Sequence, residues 1–293
     1  MRQAGTLLIV ALCGVPNFAG EITLTLRSRS EKDGKHDTVT KIETWPGDKV
    51  AVIVCDVWDA HHCLNAVRRE EEMLPRMEAF LKAVREKGTL VIHAPSSCME
   101  AYKDHPARKR AQSAPMAKTL PQDIDKWCRK IPAEEKGVYP IDQSDGGEDD
   151  DPKEHTEWHA KLSAIGRNPK SPWKAQHSGI TIADNDAISD SGVEIWNLLE
   201  ARGIKNVILM GVHVNMCVAG RPFGLRQMAK NGKHVVLMRD MTDSMYNPAR
   251  RPNVTHFRGT ELFIEHVEQF IAPTITSDQI IGGKTFAFSG AEH

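Results

Sequence analysis

The sequence predicts one three-layer α/β domain, Rossmann-like, with a mostly parallel sheet and helices on both faces. Three observations carry this. Apolar, β-branched runs of strand length recur at Lys49 to Asp56 (KVAVIVCD), Thr89 to Ala94 (TLVIHA), Asn206 to Val212 (NVILMGV) and Lys233 to Arg239 (KHVVLMR). Continuous apolar character, rather than alternation, marks strands buried on both faces. Between the strands, apolar residues recur at helical spacing: Val67, Leu74, Met77, Leu81 and Val84 in one segment, Val193, Trp196 and Leu199 in another. Repeated strand–helix–strand order requires right-handed crossovers, hence a parallel sheet covered on both faces.

Taken in order, residues 1–20 (MRQAGTLLIVALCGVPNFAG) read as a signal peptide: Arg2, an apolar run from Leu7 to Val15, then small residues at Ala19 and Gly20. The run is too short for stable membrane insertion, and it implies export to a periplasm or the exterior. Without such a leader the protein would be cytoplasmic. Residues 21–293 form the single mature domain, beginning with a strand-like EITLTLRSR. A helix from Asn65 to Lys87 ends at Gly88, and another closes at Gly203. Helices are also expected over Cys217 to Lys230 and Gly259 to Ile271. Residues 100–172 interrupt the pattern as a long insertion, with a basic patch, several prolines and an acidic stretch from Asp142 to Asp151. They carry too few periodic apolar positions to build a core of their own.

The chain has 293 residues, with Lys+Arg 38 against Asp+Glu 39, a net charge of -1 and 40% hydrophobic residues. That balance suits an ordinary globular protein and gives no electrostatic reason to expect nucleic acid as a partner. Removal of residues 1–20 leaves Cys55, Cys63, Cys98, Cys128 and Cys217, an odd set in which at least one thiol stays free. No CxxC pair is present, which argues against a zinc ribbon or a thioredoxin-type site.

In open parallel sheets, ligands bind beyond the carboxyl ends of the strands, so Asp56, His93 and the segment His213 to Cys217 should converge on one cleft. A cysteine at a helix N-terminus meets unpaired N–H groups that favour its thiolate. An ammonium such as Lys174 would lower its pKa further, and a carboxylate such as Asp56 could accept and return the thiol proton. Nucleophile, base and cation are the parts that acyl transfer requires. Trp58 and His62, just past Asp56, together with His93 and His177, are candidate substrate-binding residues, each also readable as plain packing. Cys55 should face away from Asp56 as inert core.

At these residues the chain resembles the isochorismatase-like cysteine hydrolases, the superfamily that includes nicotinamidases and N-carbamoylsarcosine amidohydrolases. The resemblance rests on VAVIVCD, on KAQHSG, and above all on NVILMGVHVNMCV followed by a helix and HVVLMRDMTDS. It implies Cys217 as nucleophile, Asp56 as general base and acid, and Lys174 as the group that orients Asp56. It also implies a cis peptide between Val212 and His213, and an oxyanion hole from the backbone N–H groups of His213 and Cys217. The implied chemistry is thiolate attack on a small amide, carbamoyl or imide substrate through a thioester, with no organic cofactor. Isochorismatases proper cleave a vinyl ether and lack the cysteine, so Cys217 points to C–N bonds. A homo-oligomer is implied as well, although no residue pattern marks an interface.

The sequence departs from metal-binding nicotinamidases, which carry an Asp-x-His after the second strand. Here that strand leads into HAPSSC, so no metal is expected and nicotinamide is in doubt. A zinc ion held by His61, His62, His93, His177 and His213 is the lesser alternative, since no pair among them has a diagnostic spacing. The rival functions are hydrolysis of a non-amide bond on the same fold, a non-catalytic ligand-binding member of it, and a thiol redox sensor using Cys63 or Cys98.

Overall fold

The computed structural model describes residues 20–32 and 34–291. The expected signal peptide therefore lies, apart from Gly20, outside the described residues. The chain opens with a long antiparallel hairpin, β1 (Glu21–Lys32) and β2 (Lys35–Pro46), of which only the first arm was expected. Then follow β3 (Val50–Cys55), α1 (Leu64–Glu86), β4 (Leu90–Ala94), α2 (Pro106–Gln112), α3 (Pro152–Ala164), β5 (Ala187–Ile188) and α4 (Gly192–Ala201). The second half runs through β6 (Asn206–Val212), α5 (Leu225–Lys230), β7 (His234–Asp243), α6 (His256–Phe270), β8 (Thr274–Ile275) and α7 (Asp278–Ile281). Together the strands form one 8-stranded sheet in the order β2-β1-β8-β7-β6-β3-β4-β5. All pairings from β8 to β5 are parallel, and only the β1 contacts are antiparallel.

Alternate residues of β3 enter opposite layers, because successive Cβ atoms of a strand point to opposite faces. Ala51, Ile53 and Cys55 pack with Ile195, Leu199, Leu225, Phe263 and Val267 of α4, α5 and α6. Val50, Val52 and Val54 pack with Met73, Met77, Phe80, Leu81 and Val84 of α1. This is the three-layer α/β/α arrangement expected from the sequence, and it explains why every residue of β3 is buried.

From β3 the chain winds toward β4 and β5, whereas from β6 it winds the other way toward β7 and β8. The strand order thus reverses between β3 and β6, where a crevice opens in sheets of this kind. Their register pairs Cys55 with Gly211, which brings Asp56 beside the end of β6.

Gly211 makes that close approach possible. Its φ is +109°, and a Cβ there would lie 2.0 Å from the Cys55 carbonyl oxygen. The β6–β7 register also slips at this point. Gly211→Ala is expected to destabilise the domain by about 2–4 kcal/mol, through a strained backbone and a clash with a central strand. Urea unfolding monitored by circular dichroism measures this.

Residues 100–172 are firmly docked: Ala111, Ile124 and Ile141 pack into the main core. Arg108 of α2 pairs with Glu194, and Glu134 receives both Arg226, at 2.8 Å, and His266. The Asp150 carboxylate accepts from the Leu64 and Asn65 amides at 2.8 and 2.7 Å, capping α1.

Candidate active site

Asp56 is the first residue past β3, fully buried, with a φ of 49°. That left-handed conformation, uncommon but tolerated by Asp, turns its carboxylate across the strand ends. Oδ1 accepts from the Ser96 amide at 2.7 Å. Oδ2 accepts from Arg221 Nε at 3.1 Å and forms a 3.0 Å ion pair with its Nη2. The Cys217 thiol lies close enough to the carboxylate and the guanidinium for each to act on its ionisation. The Val212–His213 peptide is cis. A tight π-helical turn over Val214–Val218 then places Cys217 beside Asp56, and the amides of Met216 and Val218 close it by donating to the His213 carbonyl.

Two expectations require correction. The first concerns the helix. Cys217 does not open a continuous helix to Lys230: the π turn gives way to a Gly220–Gly224 bend containing Pro222, and α5 begins only at Leu225. Pro lacks the amide and crowds the preceding turn, so the helical periodicity cannot run through it. Without a long helix behind it, the thiol gains little from a helix dipole. Burial pushes its pKa well above the ordinary value and the Asp56 charge adds to this, with Arg221 opposing. At rest Cys217 is a protonated thiol next to a proton acceptor. Burial likewise raises the Asp56 carboxyl, against Arg221, Cys217 and Ser96, which lower it.

The second correction concerns Lys174. Its side chain is exposed, while its backbone amide donates to Asp59 Oδ1 at 2.9 Å. Asp59 also accepts from the Ala175 amide and pairs with Arg167 at 2.8 Å. This anchoring fixes the backbone of the segment, and the cation on Asp56 is Arg221. Burial works against the Arg221 charge, but Asp56 more than compensates and its pKa rises. The sequence held a signal for it: Arg221 follows Cys217 by four residues, one turn further along the chain. Arg221 also lies over the Trp127 ring, 4.6 Å from its centroid. Trp127 and Arg129 of the insertion, with Asn215, Met216 and Gly220 of the turn region, line a hollow of about 430 Å³ next to this ion pair.

Each of the four candidate substrate-binding residues is engaged by protein partners of its own, and Trp58 and His93 both adjoin Gln176. His93 is fully buried, with Nδ1 against Gln176 Oε1 at 2.8 Å and Nε2 against Asp186 Oδ2 at 2.9 Å, and so is a packing residue. His177 accepts from the Gly179 amide within its own turn. Trp58 stacks on Trp173 with centroids 4.3 Å apart and donates to the Ser96 carbonyl. His61 lies between Trp58 and His213, its centroid 6.1 and 4.9 Å from theirs. This aromatic wall adjoins the cis peptide. Burial depresses the His213 pKa to about 3, so its imidazole is neutral. His62 points instead toward Glu148, at 3.1 Å. All five described cysteines are free thiols, and Cys55 is buried core as expected.

A family model described as the Isochorismatase domain matches residues 50–279. No curated protein matches the chain. Among solved structures, a cysteine hydrolase from Pseudomonas syringae pv. phaseolicola 1448A is similar at 16% identity, covering 81% of this chain and 93% of its own, with a TM-score of 0.47. The N-carbamoylsarcosine amidase of Thermoplasma acidophilum is similar at 14% identity, over 78% and 97%, with a TM-score of 0.42. An isochorismatase family protein from Burkholderia thailandensis follows at 13% identity, over 80% and 94%, with a TM-score of 0.44.

Proposed function

The chain belongs to the isochorismatase family, and on that premise we propose that it is a cysteine hydrolase that cleaves the C–N bond of a small amide, carbamoyl or imide substrate. The observation that carries the reading is a buried thiol, Cys217, placed beside a buried carboxylate, Asp56, itself held by Arg221.

In this reading the substrate carbonyl sits over Cys217 with its oxygen toward the His213 and Cys217 amides. Sγ attacks as the thiol proton passes to Asp56, which the raised carboxyl pKa favours. The tetrahedral oxyanion is stabilised by the two N–H groups. Asp56 then hands its proton to the departing nitrogen, and ammonia or an amine leaves a thioester on Cys217. Water, deprotonated by Asp56, attacks the thioester; Sγ leaves, regains the proton, and the acid is released. Arg221 keeps Asp56 oriented and ionised between steps.

The test is a panel of small amides, N-carbamoyl compounds and cyclic imides, with a vinyl ether as contrast, assayed for ammonia, amine or acid release. Intact-mass and peptide analysis of quenched reactions should find an acyl adduct on Cys217. Turnover that persists in Cys217→Ala, or turnover of the vinyl ether alone, contradicts the reading.

A further inference from the structure

Trp127 belongs to the insertion and is 39% exposed, so its ring adds little to the core. What the ring covers is part of the catalytic ion pair. The guanidinium carbon of Arg221 lies 4.6 Å from the ring centroid, inside the range over which an aromatic face holds a cation. The same guanidinium reaches Asp56 Oδ2 through Nε at 3.1 Å and Nη2 at 3.0 Å. Arg221 therefore has two partners, a carboxylate at the end of β3 and an indole from the insertion. Backbone contacts build the seat for the ring. Gly220 permits the approach, since a Cβ there would meet the indole at 2.9 Å. The Cys128 amide donates to the Gly220 carbonyl at 2.8 Å. Gln227 of α5 donates to the Asp123 and Lys126 carbonyls at 2.7 and 2.9 Å, and Ile124 packs into the main core. These anchors do not depend on which side chain stands at position 127.

We propose that Trp127 is a positioning residue for the reaction: its ring fixes the Arg221 guanidinium on Asp56, so that the insertion completes the catalytic ion pair. The proposal rests on the pairing of Asp56 with Cys217 described above. The Arg221 side chain keeps 18% exposure, so water competes with Asp56 for its donors. A flat ring against the guanidinium removes part of that water and much of the freedom of a long side chain. Without the ring, Arg221 holds Asp56 less closely and its charge is better solvated, so Asp56 keeps its proton to higher pH. The other titratable groups acting on Asp56 or Arg221 are Cys217 of the π turn, Cys55 of β3, Glu70 of α1 and Cys98 past β4. Burial raises the pKa of each. Arg129 is a second cation near the ring, 5.9 Å from the Trp127 centroid. All five are common to the variants compared below, so a shift between those variants reads Arg221.

The test is the pH profile of Cys217 alkylation by iodoacetamide in the full chain, resolved by peptide mass spectrometry, which needs no substrate. Trp127→Leu should move its acid limb upward by about half a pH unit, short of the Arg221→Met shift, at unchanged circular dichroism. Trp127→Phe keeps a ring face and should restore most of the wild-type position. In an Arg221→Met background, Trp127→Leu should add no further shift, because the ring then has no guanidinium to hold. A limb that Arg221→Met moves and Trp127→Leu does not overturns the proposal and leaves the hydrolase reading in place. An equal shift in both backgrounds overturns it as well. The expected limbs in a protein that turns over nothing in the substrate panel uphold the positioning role and count against the hydrolase reading alone.

Discussion

Asp56→Asn should lower kcat/KM by about 10³- to 10⁴-fold and cost the fold about 3 kcal/mol. The kinetic loss follows from removing the group that takes the thiol proton and returns it to the leaving nitrogen, two roles for one carboxylate. Asparagine can still accept from the Ser96 amide, so the backbone at the end of β3 keeps its contact. The stability loss arises because Arg221 would remain without its counter-charge. Removing one partner of a buried pair costs about 3–5 kcal/mol, and the low end applies because the Arg221 side chain keeps 18% exposure. Steady-state kinetics with the best substrate of the panel, and urea unfolding of the same sample, measure the two effects separately.

Arg221→Met should move the acid limb of the kcat/KM profile upward by about one pH unit or more, and reduce its plateau. The sign follows from the charges. Arg221 holds down the pKa of a carboxyl that burial pushes up, so its removal lets Asp56 hold its proton to higher pH. Activity in this account needs Asp56 ionised, and the limb must follow. The thiol loses the same cation, which lowers the plateau. Arg221→Lys should restore part of both. Lys174→Ala should leave the limb in place, because its side chain is exposed and Asp56 takes its cation from Arg221. A profile that shifts with Lys174→Ala and not with Arg221→Met would reverse the assignment.

The fold was largely legible because each central strand is a continuous apolar run, and such runs announce burial on both faces. The ends of β6, Asn206 and Val212, coincide with the expected ones. The second arm of the opening hairpin was not legible. Residues 35–46 are mostly exposed and polar, and their pairing is fixed by backbone hydrogen bonds along β1, which side-chain pattern does not reveal. Asp56 and Cys217 could be read because Asp56 directly follows β3 and Cys217 lies in the turn just past β6, at strand ends where topology dictates convergence. The cation was not chosen correctly, because Lys174 before Ser-Gly and Arg221 four residues past Cys217 are both local signals of equal weight. What decides between them is tertiary: Asp59 anchors the Lys174 segment by its backbone, and the bend at Pro222 turns Arg221 toward β3.

Alkylation of each cysteine by iodoacetamide at neutral pH, resolved by peptide mass spectrometry in the wild type and in Asp56→Asn, is the most direct measurement. Cys128 is an internal control, because it and Cys217 are both 8% exposed. Burial and the Asp56 charge raise the Cys217 pKa, so transfer of the thiol proton to Asp56 during attack must outweigh both. The account then predicts that Cys217 reacts faster than Cys128 in the wild type, and that Asp56→Asn removes the lead even though it lifts a charge that opposes the thiolate. Equal rates at the two sites, or a Cys217 rate indifferent to Asp56, would contradict it.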